Sequence, residues 1–144
     1  MTSNPHRPTV SVVVPLYNTE RYIAQTLASV LAQTFTDFEV VVVDDGSTDR
    51  GGEIAALITD GRVRVFTQVN RGLAGARNTG IREARGRFVA FLDADDLWHP
   101  EKLAEHMAVL DARPEVGLTV SSSRLIDDDG ADLADLARYA MAFC

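Results

Sequence analysis

The sequence predicts an α/β domain, a mostly parallel sheet with helices on both faces. Three observations predict it. Segments of strand and helix character alternate four times along the chain, the order that βαβ crossovers require. Two strand segments are apolar at nearly every position, which suits strands covered on both sides. The residues able to do chemistry fall just behind the strands, where open parallel sheets bind ligands.

Residues 1–9, with Asn4, Pro5 and Pro8, read as an N-terminal arm. Val10 to Pro15 is a valine-rich strand, which Pro15 is expected to close because it has no N–H for a ladder. Ile23, Leu27, Val30 and Leu31 then mark one face of a helix of about four turns, with Asn18 or Thr19 as its N-cap. Phe38 to Val43 is a central strand. Ser47, Thr48 and Asp49 offer caps to a weak helix carrying Ile54, Leu57 and Ile58, whose start Gly51 and Gly52 loosen. A short strand at Val63, Val65 and Phe66 precedes a helix over Leu73 to Arg85, where Gly75 and Gly80 allow close approach to the sheet or a ligand. Phe88 to Leu92 is a buried strand, and Pro100 opens a helix through Leu103, Met107 and Leu110 to Arg113. Val116 to Val120 reads as a fifth strand, and Asp127, Asp128, Asp129 and Gly130 as a tight acidic turn at a hairpin tip.

Composition narrows the function. Of 144 residues, 46% are hydrophobic and 24% charged, so a packed core is expected rather than disorder. Asp plus Glu outnumber Lys plus Arg by 21 to 14, a net charge of −7, which disfavours a nucleic-acid partner. The single cysteine, Cys144, provides neither a disulfide framework nor a cysteine zinc site. The apolar run from Val10 to Leu16 is too short to span a bilayer and has no signal-peptide pattern, so no membrane span and a cytoplasmic location are expected.

Three strand ends deliver an aromatic, an amide and five carboxylates to one edge of the predicted sheet: Pro15-Leu16-Tyr17-Asn18, Asp44-Asp45-Gly46-Ser47 and Asp93-Ala94-Asp95-Asp96. In extended chain, residues two apart point the same way, so Asp93 and Asp95 can face one hard divalent cation, or else merely cap the next helix. Mg²⁺ and Mn²⁺ accept such oxygen ligands and leave positions for water and for the phosphates of a nucleoside diphosphate. Asp45 can accept the ring N–H of a pyrimidine beside Tyr17 and Pro15, whereas Asp44 suits a turn that hydrogen-bonds its own backbone. Arg77 or Arg71 can offset diphosphate charge, the alternative being a solvated arginine paired with Glu83 or an aspartate. His99 and His106 share no ligand spacing with a carboxylate pair, and Trp98 stands where a calcium-binding EF-hand loop needs glycine. A phosphoacceptor signalling domain would need an acidic pair after the first strand and a late lysine, yet Lys102 is the only lysine. A dinucleotide dehydrogenase would need a glycine-rich turn after the first strand, which is absent.

These motifs in this order, from V-S-V-V-V-P-L-Y-N (10–18), Gln33-Thr34-Phe35 and Asp37-Phe38-Glu39 through D-D-G-S-T-D (44–49), the N-x-G-x-x-x-A-R-N pattern (70–78) and F-L-D-A-D-D (91–96), resemble the nucleotide-binding half of glycosyltransferase family 2. That resemblance implies the GT-A (Rossmann-like) fold over residues 10–125, with 126–144 opening an incomplete acceptor-side region. It implies that Pro15, Tyr17 and Asp45 contact the base of a nucleotide-diphospho-sugar donor, with Asn18 beside them and Asp44 supporting the loop. Asp93 would hold the ribose or the metal, Asp95 would ligate Mn²⁺ or Mg²⁺, and Asp96 would support the loop or the helix start. Many members carry an acidic residue straight after the Tyr-Asn pair; here Thr19 stands there and Glu20 follows.

The same resemblance implies an inverting hexosyltransferase whose acceptor hydroxyl attacks as a general base deprotonates it and a metal stabilises the leaving diphosphate. The base, commonly the Asp of a Glu-Asp pair, is expected beyond Cys144, since the sequence contains no such pair. The acceptor is an unspecified sugar, lipid or protein. The alternative is a truncated, catalytically silent donor-binding or interaction module.

Overall fold

The computed structural model describes residues 7–133. Most of the expected arm, and the expected acceptor-side opening from residue 134 on, lie outside the described residues. The elements in order are β1 (Val10–Leu16), α1 (Ile23–Leu31), β2 (Phe38–Asp44), α2 (Gly51–Ala56), β3 (Val63–Thr67), α3 (Gly72–Glu83), β4 (Phe88–Phe91) and α4 (Lys102–Ala112). The chain divides into two compact units, one through Glu105 and one from His106.

The first unit holds a four-stranded sheet in the order β3-β2-β1-β4 with every pairing parallel. β1 and β2 are buried at every position, which accounts for their unbroken apolar runs. The strand order moves one way from β1 to β3 and then reverses to β4. Right-handed crossovers therefore put α1 and α2 on one face and α3 on the other. The packing agrees: a Cβ on Gly51 of α2 would touch Leu16, whereas one on Gly80 of α3 would strike Val13, on the opposite face of β1. Val13, Val41, Val43 and Ala76 form the core beneath α3, joined by Phe66.

Four expectations change. Pro15 does not end β1, which pairs through Leu16 with Asp44. Val13 accepts the Leu92 N–H across the β1–β4 ladder, so the odd residues of β1 direct their backbone groups at β4. The next bond of that ladder would need an N–H on residue 15. Proline ends the β1–β4 ladder there while leaving the β1–β2 ladder whole. Second, α1 starts at Ile23 with Tyr22 as N-cap and no side-chain cap, giving nine residues. Asn18 turns aside in the left-handed region (φ 52°) to serve the neighbouring loop instead. Third, β4 is an edge strand whose Val89 and Phe91 are exposed, rather than a buried one. Fourth, Val116–Val120 forms no strand: it finds no ladder partner, and Leu118 and Val120 are 79% and 85% exposed.

The second unit does contain the expected acidic turn. Asp127 and Ala131 bond through their backbones, Asp127 Oδ1 accepts the Asp129 and Ala131 N–H groups, and Ile126 and Asp132 form an isolated antiparallel bridge.

At the amino-terminal edge of the sheet, Glu39 clamps α3 to the strands. Its Oε1 accepts Ser11 Oγ at 2.7 Å and the Arg85 N–H at 2.7 Å, and its Oε2 accepts Arg64 Nη2 at 2.9 Å. Burial pushes this carboxyl up, but the hydrogen bonds from Ser11, Arg85 and Arg64 outweigh it and hold the group below the ordinary glutamate range. A lowered folded-state value means that the stabilisation is complete above the unfolded value of about 4.3 and is lost as pH falls through the folded one. Glu39→Gln should therefore cost about 1.5 kcal/mol at pH 7. Urea denaturation at pH 7 and pH 3.5 checks this: the gap between wild type and variant narrows in acid if the charged clamp is responsible.

Candidate functional site

The parallel strands release their carboxyl ends along one edge, and the strand order reverses between β1 and β4. That reversal opens a crevice where sheets of this kind bind ligands. β2 and β4 flank β1, so their ends lie about 10 Å apart, two strand spacings. The odd-numbered residues of β1 and β2 face α3, and continuing that alternation puts Pro15 and Asp45 on the same side. Pairing of Val13 with Phe91 extends the alternation to Asp93.

Asp45 is 3% exposed. Its N–H bonds to Leu16 O, holding the loop after β2 against the end of β1. Gln68 Nε2 at 2.6 Å and the Arg71 N–H at 2.9 Å both donate to its Oδ1. Gly46 follows with φ +73°, and a side chain there would press on the Asn70 N–H and the Gln68 carbonyl, so glycine brings the two loops together. Asp44, paired with Leu16 in the register, turns to the other face and uses Oδ1 to accept the Ser47 N–H. That bond ties down the turn after β2.

Beyond β4, Asp93 Oδ1 accepts Arg77 Nη2 at 2.7 Å, and the Arg77 guanidinium lies 5.8 Å from the Phe91 ring centroid. The partner of Arg77 is thus Asp93, not Glu83. Arg77 Nε is buried and has no hydrogen-bond partner. Thr26 Oγ1 on α1 donates to the Ala94 carbonyl at 2.9 Å, fixing the backbone between Asp93 and Asp95. Asp95 is exposed. The Asp96 carboxyl is pushed up, first by burial and then by the charges of Asp95 and Asp93, against the opposing pull of Lys102. This loop therefore concentrates negative charge from oxygen donors, the chemistry that suits Mg²⁺ or Mn²⁺. Among the described residues no group of three or more His, Cys, Asp or Glu is arranged to hold a metal. A cation here fits two carboxylates with its remaining positions filled by ligand oxygens and water.

The other predicted residues line the same edge. Tyr17 is half-exposed directly after β1. Asn18 Oδ1 accepts the N–H of Thr48 at 2.8 Å and that of Asp49 at 3.4 Å, so its oxygen knits the β1 and β2 loops together. Glu20 joins them from the other side by accepting the Arg50 N–H. Arg71 is exposed as the N-cap of α3 and contributes its backbone N–H to Asp45. Sequence reasoning missed Gln68, Thr26 and Ser29, and read Gln33 only as part of a motif. Ser29 accepts the Trp98 N–H, and Gln33 donates to the His99 carbonyl while accepting the Leu103 N–H. The signal for Thr26 and Ser29 is weak, small polar residues within α1, and Gln68 stands in the loop after β3 with no pattern to mark it.

Comparison with known proteins gives this edge its context. Residues 11–137 match the family model "Glycosyl transferase family 2". Over 102 residues the chain is 40% identical to the UDP-Glc:alpha-D-GlcNAc-diphosphoundecaprenol beta-1,3-glucosyltransferase WfgD of Escherichia coli, covering 70% of this chain and 40% of that protein. Among solved structures, S. aureus TarS 1-349 in complex with UDP-GlcNAc aligns with a TM-score of 0.70 at 34% identity, over 83% of this chain and 38% of that one. The mannosyltransferase PcManGT from Pyrobaculum calidifontis, in complex with GDP-Man and Mn²⁺, aligns with a TM-score of 0.66 at 35% identity, over 74% and 33%. The chain spans 13% to 40% of the length of the curated relatives it matches. Among the described residues no helix is long and apolar enough to cross a membrane. With the family match running through both halves of the crevice, from Pro15 to Asp96, the chain belongs to glycosyltransferase family 2.

Proposed function

We propose that this chain supplies the donor side of an inverting glycosyl transfer, binding a nucleoside-diphosphate sugar together with Mn²⁺ or Mg²⁺. The observation that carries the reading is the placement of Asp45 and Asp93 at the ends of strands flanking β1, on the side of the sheet that α3 covers, with the strand reversal between β1 and β4. Asp45 takes the base beside Tyr17 and Pro15. Asp95 and Asp93 would hold the cation, which would supply Lewis-acid stabilisation of the charge on a departing diphosphate. Arg77, now on Asp93, lies within reach of the same charge and keeps an unused Nε–H. Complexes of relatives with UDP-GlcNAc and with GDP-Man and Mn²⁺ support this choice of ligand class. WfgD, whose name specifies a lipid-diphosphate-linked sugar acceptor, supports a saccharide acceptor of that kind. Among the described residues no general base is assigned.

Calorimetric titration of the 144-residue chain with UDP, GDP and dTDP, each with and without Mn²⁺, tests the proposal. At least one diphosphate should bind tenfold or more tightly with the metal, and Asp95→Asn should lose most of that increment. Failure of all three to bind in the presence of Mn²⁺ removes the reading.

A further inference from the structure

The hydrogen bonds behind Asp45 run in one direction. Arg82 Nη2 donates to Thr79 Oγ1 at 2.7 Å, Thr79 Oγ1 donates to Gln68 Oε1 at 2.6 Å, and Gln68 Nε2 donates to Asp45 Oδ1 at 2.6 Å. A guanidinium can only donate and a carboxylate can only accept, so both ends of the chain are fixed. The hydroxyl and the amide between them then have a single consistent orientation. Flipping the Gln68 amide would set its oxygen against a carboxylate and lose the bond to Asp45. The Arg71 N–H adds a second donor on the same Asp45 oxygen. The other oxygen, Oδ2, takes part in none of these bonds, although the residue is almost wholly buried.

Resting on the nucleotide reading above, we infer that Gln68 is a positioning residue that sets base specificity. Oriented by Thr79, it commits one Asp45 oxygen and presents the other as a fixed acceptor. The site therefore selects bases with a ring N–H (uracil, thymine or guanine) over cytosine and adenine, whose corresponding ring nitrogen is itself an acceptor. The base is read by a carboxylate whose rotation α3 prevents, through a residue that touches no part of the ligand.

Calorimetric titration of the 144-residue chain with UDP and CDP, both with Mn²⁺, tests this in wild type, Gln68→Leu and Thr79→Val. Wild type should prefer UDP by at least tenfold. Gln68→Leu should narrow that preference about tenfold, through weaker UDP binding with CDP little changed. Thr79→Val, which keeps the shape of a half-buried side chain and loses only the hydroxyl, should shift the ratio in the same direction by a smaller factor. It carries the test should Gln68→Leu melt. Equal weakening of both nucleotides, or an unmoved ratio, would show Gln68 to be merely structural and overturn the proposal. A wild type that binds neither nucleotide overturns the nucleotide reading itself, and this inference with it.

Discussion

Gly80→Ala should destabilise the first unit by about 2 kcal/mol, although alanine is the better helix former. The added Cβ would sit 2.2 Å from Val13 Cγ1 and 3.1 Å from Val13 Cγ2. Val13 cannot yield: it is fully buried in a central strand, and its β-branched side chain is restricted at χ1. Helix α3 must lift instead, and overpacking of this kind typically costs 1–3 kcal/mol. The propensity gain of about 1 kcal/mol offsets only part of a cost at the upper end of that range. Gly61→Ala is the control, because nothing lies within 4 Å of its Cβ. Val13→Ala in the Gly80→Ala background should recover stability relative to additive costs, a coupling of at least 1 kcal/mol in a double-mutant cycle. Additive effects would mean that the helix relaxes elsewhere. Gly80 also follows Thr79 directly, so lifting α3 should slacken the relay to Asp45 and weaken nucleotide binding along with the fold.

What the letters revealed and what they hid divide along physical lines. Full burial of β1 and β2 was legible because no polar residue interrupts Val12–Val14 or Val40–Val43. The carboxylates at the strand ends were legible because side-chain alternation carries past the last paired residue. The edge position of β4 was not, since Phe88–Leu92 is as apolar as a central strand, and only the strand order decides which side of it stays uncovered. Val116–Val120 misled in the same way: apolar composition states what a strand would bury, not whether a ladder exists to receive it. Within the site, Asp45 and Asp93 could be read from position, but the partners that orient them could not. Gln68 lies 23 residues from Asp45, and Thr26 lies 68 from the carbonyl it holds. Pro15 illustrates a partial reading: its missing N–H does stop a ladder, though the one to β4 and not the one to β2.

Asp45→Asn should invert the preference of the site between UDP and CDP while leaving the melting temperature nearly unchanged. Gln68 Nε2 and the Arg71 N–H both donate to the same Asp45 oxygen. An asparagine meets them with its carbonyl oxygen, because its NH₂ would face two donors. The amide nitrogen then occupies the place of Oδ2 and offers a donor where the aspartate offered an acceptor. The ring N–H of uracil loses its partner and meets another donor, a loss of about 2.7 kcal/mol or a hundredfold in affinity. The ring nitrogen of cytosine gains a donor, so CDP binding should hold or strengthen. A variant that merely damaged the pocket would weaken both nucleotides together, and titration of each separates the outcomes. Stability is largely preserved because both internal bonds survive the exchange. Removing Gln68 as well should blunt the inversion, since a single remaining donor from Arg71 constrains the asparagine amide less firmly. If UDP still outcompetes CDP in Asp45→Asn, the base is read by some group other than the side chain at the end of β2.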